Sequence, residues 1–184
     1  MMTRFAVTAA LVSLALVLQS TIAPILGWEQ VRPWFPGMVL VASVFLNQGT
    51  AGILWAALLG LGVDSLSSER VGVQLAIATV IASLLAAALE ETPSRGTVIY
   101  SIFVIVSTFL WRSLNVLTQA WLVGELVDPM RVLILASGDA SYTTAIVLFL
   151  TTAYRLVRRM IRRQESRSTF SLNNQWSMLT RFER

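Results

Sequence analysis

The sequence predicts an all-α integral membrane protein, a bundle of about six transmembrane helices with short loops and both termini in the cytoplasm. Hydrophobic residues make up 55% of the 184 residues and charged residues only 13%, whereas about a quarter of a soluble domain is charged. The mean hydropathy is +0.69, and apolar runs of about 20 residues, enough to cross a bilayer, recur along the chain. We expect a transmembrane domain over residues 1–156 and a basic amphipathic cytoplasmic tail over 157–184.

The missing residue types restrict the chemistry. The chain has no Cys, His or Lys, and all 14 basic residues are Arg. Disulfides, zinc sites built on Cys or His, and Schiff-base lysines are therefore excluded. We expect no catalytic, cofactor-binding or metal site.

The first three spans occupy the N-terminal third. The first runs over residues 5–26 and follows Arg4. The second and third share residues 33–66, which is tight for two crossings of about 20 residues each. The polar residues 47–50 predict a turn between them. Two short crossings are preferred here, and a shallow re-entrant hairpin is the alternative.

The remaining spans are predicted over residues 71–89, 97–121 and 130–156. Six spans place both termini on one side, which carries Arg4, Arg95 and the eight arginines of residues 155–184. The opposite side carries only three arginines, so the positive-inside rule places the termini in the cytoplasm. The outer arginines are Arg32, Arg70 and Arg131, and the tryptophans predicted at the outer membrane boundary are Trp28, Trp34 and Trp121.

Small residues recur at every fourth position of the third span. Gly52, Ala56 and Gly60 form a stripe that ends in Asp64. Small residues at this spacing let another helix approach closely, and a carboxylate inside a bilayer is costly. We interpret the four residues as a helix-docking stripe, which could contact a partner protein or a neighbouring helix of the same chain.

A polar face runs along the fifth span. Thr108, Arg112, Asn115 and Gln119 lie on one side of the predicted helix, which should face the bundle interior. Asp139 of the sixth span is expected at the same depth as Arg112, so the two should pair. The pair could serve as a substrate or proton site, or it could fix the register of two helices.

Two buried aspartates also suggest an intramembrane aspartyl protease, in which two carboxylates share a proton. One of them belongs to a Gly-x-Gly-Asp motif in such proteases. Here residues 60–64 carry an additional residue before the aspartate, and residues 137–139 lack the first glycine. Asp64 is also expected nearer the membrane surface than Asp139, so we do not predict proteolysis.

The tail begins with a cluster of arginines next to the membrane. Such a cluster suits anionic lipid headgroups, and the apolar residues beyond it recur at helical spacing, which could dock on a partner or on the membrane surface. The alternative is a topology anchor followed by a disordered end. The cluster is Arg155, Arg158, Arg159, Arg162 and Arg163, and the apolar residues are Leu172, Trp176 and Leu179.

The order of several residues in the first half resembles the rod shape-determining protein MreD family. That family has a Gln-Ser-Thr-like end to its first helix, an Arg-Pro before its second, and a Gly-rich third helix that ends in Asp. The matching positions are Gln19, Ser20, Pro24, Arg32, Pro33, Gly52, Gly60, Asp64 and Gly72. Family members often continue the Arg-Pro with Asp-Leu, whereas this chain has Trp34 and Phe35.

The resemblance implies a non-catalytic multi-pass protein of the bacterial inner membrane that regulates cell shape. Its implied partners are MreC, the actin-like MreB, the RodA glycosyltransferase and a class B penicillin-binding transpeptidase. The implied role is to bind MreC and help couple MreB filaments to peptidoglycan synthesis, without nucleic acid or a cofactor. The alternative is a membrane-embedded substrate-binding subunit of a vitamin-type transporter, which has a similar size and topology.

Overall fold

The protein is helical throughout the part that the structure describes. The computed structural model describes residues 2–27, 31–47, 49–67, 72–91, 96–124 and 128–179, with side-chain contacts as far as residue 156. These residues form seven helices and no strand. The helices are α1 (Met2–Thr21), α2 (Ala23–Leu26), α3 (Phe35–Asn47), α4 (Thr50–Leu66), α5 (Val73–Glu90), α6 (Thr97–Val123) and α7 (Pro129–Leu179).

Four of these helices are long and apolar enough to cross a membrane. The membrane-length segments are Thr3–Thr21, Val73–Glu90, Val98–Leu122 and Pro129–Leu156. Helix α3 has 13 residues and α4 has 17, which gives lengths of about 20 and 25 Å against a hydrocarbon core of about 30 Å. The chain is therefore a multi-pass helical membrane protein, and full crossing by α3 and α4 stays a prediction.

Successive long helices run in opposite directions, so the bundle has two ends. We call the end at which α1 begins the proximal end, and the end at which α3, α5 and α7 begin the distal end. Helix α4 packs against α3 and α5, and α3 also packs against α1 and α6. At the proximal end, Asn47 Nδ2 donates to Thr8 Oγ1 at 2.8 Å and so joins α3 to α1.

A compact unit ends at Val147, and a second unit begins at Leu148. The first unit contains a continuous apolar core with large side chains that are almost fully buried. The second unit continues as helix to Leu179. The domain boundary predicted after residue 156 stays a prediction. The largest buried apolar side chains of the first unit are Trp111, Leu40, Leu59, Ile81, Val41 and Val44.

Candidate functional site: a polar network at the distal end

Residues 31–34, between α2 and α3, are not helical, and side chains of α7 accept hydrogen bonds from two of their backbone N–H groups. The Arg32 N–H donates to Asp139 Oδ1 at 2.8 Å, and the Trp34 N–H donates to Thr143 Oγ1 at 2.8 Å. Pro33 has no N–H to satisfy. Non-helical backbone at membrane depth is tolerated only where protein or water supplies such partners, and α7 supplies them for these two N–H groups.

The first turn of α3 is held from another side. The Phe35 N–H donates to Gln19 Oε1 of α1 at 3.1 Å. Helix N-termini leave backbone donors without intrahelical partners, and here a side chain from a different helix accepts one of them. Gln19 thus joins α1 to the start of α3.

Arg112 and Asp139 form the ion pair predicted from their equal depth. Arg112 Nε lies 2.5 Å from Asp139 Oδ2, and the Asp139 side chain is 1% exposed whereas that of Arg112 is 24% exposed. The Arg112 guanidinium carbon also lies 4.9 Å from the centre of the Trp34 ring, within the range of a cation–π interaction. The pair therefore holds α6, α7 and the 31–34 segment together.

Trp34 is buried in the bundle, with 9% of its surface exposed. Its ring therefore faces the interior of the bundle and not the lipid headgroups, and its depth at the membrane boundary stays a prediction. Its ring lies edge-on to Trp111, with centroids 5.8 Å apart. Trp34 can be buried because the 31–34 segment enters the bundle. Thr143 of α7 accepts the hydrogen bond from the Trp34 backbone N–H there.

The network continues from Trp111 into α5. Trp111 Nε1 donates to Gln74 Oε1 at 2.7 Å, and Gln74 Nε2 donates to Asn115 Oδ1 at 2.9 Å. Gln74 is itself 1% exposed. Buried amides require such partners, and here they connect α5 to two successive turns of α6.

Asp64 accepts hydrogen bonds from the N-terminus of α5. Its Oδ2 accepts from the Gly72 N–H at 2.9 Å and from the Leu75 N–H at 3.1 Å, and its Oδ1 accepts from the Gln74 N–H at 3.0 Å. These donors have no intrahelical partner, and the positive end of the helix dipole favours a carboxylate. Gly72 has φ of 101°, a conformation that favours glycine. Asp64 therefore caps α5 from the end of α4.

The predicted helix-docking stripe lies inside the bundle. A Cβ at Gly52 would lie 2.9 Å from Val44 Cα of α3, and a Cβ at Gly60 would lie 2.6 Å from the Gln74 carbonyl oxygen of α5. Ala56 between them is fully buried. In this structure the stripe thus contacts two helices of the same chain. At Gly52 and Gly60, the points of closest approach, there is no room for a side chain larger than hydrogen.

The other members of the predicted polar face have different surroundings. Asn115 joins the network through Gln74, whereas Thr108 is fully buried and lies against Gly37. Among the described residues, neither Thr108 Oγ1 nor the buried Gln119 Nε2 has a hydrogen-bond partner. The face predicted from helical spacing therefore contains two connected residues and two with unpaired buried polar atoms.

Helix α7 makes two further contacts with the chain just before α3. Tyr142 Oη donates to the Leu26 carbonyl oxygen at 3.0 Å. A Cβ at Gly138 would lie 2.8 Å from Val31 Cγ2, so the missing side chain allows this close packing. Several residues of the network belong to no pattern that singles them out in the sequence, although Trp111 is the neighbour of Arg112. Those residues are Gln74, Trp111, Tyr142 and Thr143.

Most of the predicted basic cluster lies outside the described side chains. Arg155 is exposed. The side chains of Arg158, Arg159, Arg162 and Arg163 fall beyond the described ones, as do those of Leu172, Trp176 and Leu179. Among the described residues, no three acidic, His or Cys side chains form a group that could hold a metal ion.

Several residues that carry the family resemblance fall within this distal region, whereas Gly52 lies near the proximal end against Val44. Gln19, Arg32, Asp64 and Gly72 all make hydrogen bonds there. The family model for rod shape-determining protein MreD matches residues 1–124. The chain belongs to the MreD family. The match extends through the end of α6, so it includes Arg112, while Asp139 lies beyond it.

The other two comparisons add no relative of this MreD family member. Neither the search of curated proteins nor the search of solved structures gave a match. The family assignment therefore rests on the match to residues 1–124, about two thirds of the chain.

Proposed function

We propose that this MreD family member is a non-catalytic, multi-pass component of the bacterial inner membrane that acts in the cell-elongation machinery. It would bind MreC and help couple MreB filaments to peptidoglycan synthesis by RodA and its class B penicillin-binding transpeptidase. The observation that carries the proposal is the family match over residues 1–124. The membrane-length apolar helices agree with a multi-pass protein.

The surroundings of the two buried carboxylates support a scaffold rather than an enzyme. Asp64 accepts three backbone hydrogen bonds at the start of α5, and Asp139 is paired with Arg112. A general acid and base that share a proton must face each other. These two carboxylates instead each hold a different structural junction.

We further propose that the termini and the proximal end of the bundle face the cytoplasm. Arg4 and the eight tail arginines would then lie on the cytoplasmic side, as the positive-inside rule requires. The cluster that begins at Arg155 would contact anionic lipid headgroups. The distal network would lie in the outer half of the membrane.

Depletion of the protein from rod-shaped cells tests the proposal. The cells should become round while nutrient uptake is unchanged, and complementation should restore the rod shape. Starvation that a supplied vitamin relieves, with the rod shape retained, would contradict the proposal and indicate the transport subunit.

Co-purification tests the proposed partner. MreC should be recovered with the full chain from native membranes. Asp64→Asn provides a useful variant, since it removes a charge from a junction between helices and leaves the membrane-facing surfaces unchanged. If the folded wild-type chain never recovers MreC, the partner assignment fails.

A further inference from the structure

A groove between α5 and α6 is open towards the surrounding membrane. It encloses about 190 Å³. The side chains at its mouth are Leu84 on α5 and Ile102 and Val106 on α6, and each of them is about half exposed. Because all three lie within membrane-length segments, the groove opens to the side on which lipid or another membrane protein lies.

The floor of the groove is apolar. Ile81 and Leu85 of α5 form part of it and are almost fully buried. Among the described residues that line it, only Ser107 has a polar side chain, and its hydroxyl donates within α6 to the Val104 carbonyl oxygen at 3.2 Å. An apolar cavity of about 150 Å³ is large enough to hold a benzene ring. The groove therefore has room for one leucine or phenylalanine side chain.

A carboxylate lies on the same side of α5 at its proximal end. Glu91 follows Leu84 by seven residues and the lining residue Ala88 by three, and its φ of −82° and ψ of −13° are still helical. Residues at these spacings share one face of a helix. Glu91 is exposed, and no described residue forms an ion pair with it. The mouth of the groove is thus continued by a negative charge at the edge of the membrane segment.

The negative charge favours a protein helix over a lipid as the occupant. Residues 90–95 contain two glutamates and one arginine, so this end of the groove does not attract the headgroups of anionic lipids. A transmembrane helix, in contrast, carries Arg or Lys just outside the membrane on the cytoplasmic side, which is the proximal side in the proposed orientation. Such a residue would lie beside Glu91.

We propose that the groove between α5 and α6 binds a transmembrane helix of a partner protein, with one large apolar side chain in the groove and one Arg or Lys beside Glu91. Seven residues of helix, about 10 Å, separate Leu84 from Glu91, so the two side chains of the partner helix should be about seven positions apart. Packing would hold the helix, and the complementary charges would fix its direction. The identity of the partner as MreC rests on the proposed function.

The test measures how much MreC co-purifies with matched variants of the full chain from native membranes. Val106→Trp fills the mouth of the groove, whereas Ile105→Trp adds a similar bulk at a neighbouring exposed side chain that does not line it. Val106→Trp should lower the recovery of MreC about tenfold, and Ile105→Trp should recover as much as the wild type. Equal recovery with both variants would overturn the proposal and leave the groove to lipid acyl chains.

Glu91→Gln tests the charge without a change in packing, so it decides the question even if Val106→Trp does not fold. It should lower the recovery of MreC about threefold, the loss of one exposed ion pair. Glu90→Gln is the control, because it removes the same charge on the opposite side of α5 and should recover as much as the wild type. Equal losses in the two variants, or a loss in neither, would contradict the proposal.

Cross-linking locates the contact, since the chain has no cysteine of its own. Leu84→Cys places a thiol at the mouth of the groove, and Leu54→Cys places one at an exposed position of α4. A cysteine scan along the membrane-spanning segment of MreC should give disulfides with Leu84→Cys alone. Disulfides with both variants or with neither would overturn the groove and leave MreC as the partner. If the wild-type chain recovers no MreC at all, the proposed function fails and this inference fails with it.

Discussion

Two buried aspartates of the same bundle are satisfied in different ways. Each is 1% exposed. Asp64 accepts three hydrogen bonds from backbone groups only 8 to 11 residues further along the chain. Asp139 accepts one from Arg112, 27 residues away, and one from Arg32, 107 residues away.

The difference separates local from long-range stabilisation. Asp64 joins the end of α4 to the start of α5. Its partners are neutral backbone N–H groups, and the α5 dipole adds to their effect. Asp139 joins α6, α7 and the distant 31–34 segment, and one of its two partners is a formal charge. Loss of Asp64 therefore leaves neutral donors unsatisfied, whereas loss of Asp139 leaves a cation without its counter-ion.

The substitution Asp139→Asn should have the largest effect. It keeps the shape of the side chain but leaves Arg112 without a counter-ion inside the bundle. Breaking a buried pair typically costs 3–5 kcal/mol, and we expect about 3 kcal/mol because Arg112 is 24% exposed. The free energy of unfolding in mixed micelles measures this. If Asp139→Asn lowers the free energy of unfolding by less than Asp64→Asn does, the long-range ion pair is not the stronger of the two junctions and the account is contradicted.

Gly60→Ala should have the second largest effect on stability, because it disturbs the packing of α4 against the start of α5, where Asp64 accepts its hydrogen bonds. The new Cβ would lie 2.6 Å from the Gln74 carbonyl oxygen and 2.7 Å from Leu75 Cα, so the α5 backbone must shift. We expect a loss of about 2 kcal/mol in the free energy of unfolding. The control is Gly62→Ala, whose Cβ meets only the end of the flexible Leu16 side chain. Equal losses in the two variants would contradict the account of the α4–α5 contact.

Asp64→Asn should cost less, about 1.5 kcal/mol, because the amide oxygen still accepts part of the hydrogen bonding and no opposite charge is stranded. Hydrogen exchange should show the loss locally, with faster exchange at the amides of Gly72, Gln74 and Leu75. Uniform acceleration throughout α6 and α7 would show that the Asp64 junction is not local.

Trp34→Phe should have the smallest effect. An aromatic ring remains under Arg112, and Trp34 Nε1 has no hydrogen-bond partner among the described residues, so no such bond is lost. A weaker cation–π interaction should reduce the free energy of unfolding by about 0.5 kcal/mol. Trp34→Ala provides the contrast, since it removes the ring altogether. A large loss in the Phe variant would mean that the indole N–H has a structural partner.

Much of the fold follows from the sequence, and the reasons are physical. Apolar runs must be helical in a bilayer because only helices satisfy their own backbone there. The Arg112–Asp139 pair was predictable because two lone charges at equal depth on adjacent antiparallel helices have few other partners. The stripe of Gly52, Ala56 and Gly60 was recognisable, but spacing alone could not identify the helices that it contacts.

The rest of the site depends on how non-helical segments run through the bundle. Trp34 was placed at the membrane boundary because tryptophans are common there, whereas the 31–34 segment carries it inside. The role of Asp64 depends on the contact between the end of α4 and the N-terminus of α5, and the role of Thr143 depends on a contact across more than a hundred residues. No local pattern encodes such contacts.

The most direct test of the central claim is a double-mutant cycle on Arg112→Ala and Asp139→Ala. If the pair joins α6 to α7, the double variant should be more stable than the sum of the single losses implies, by about 2 kcal/mol in the free energy of unfolding. Additive losses would contradict the account, because they would mean that each side chain acts without the other.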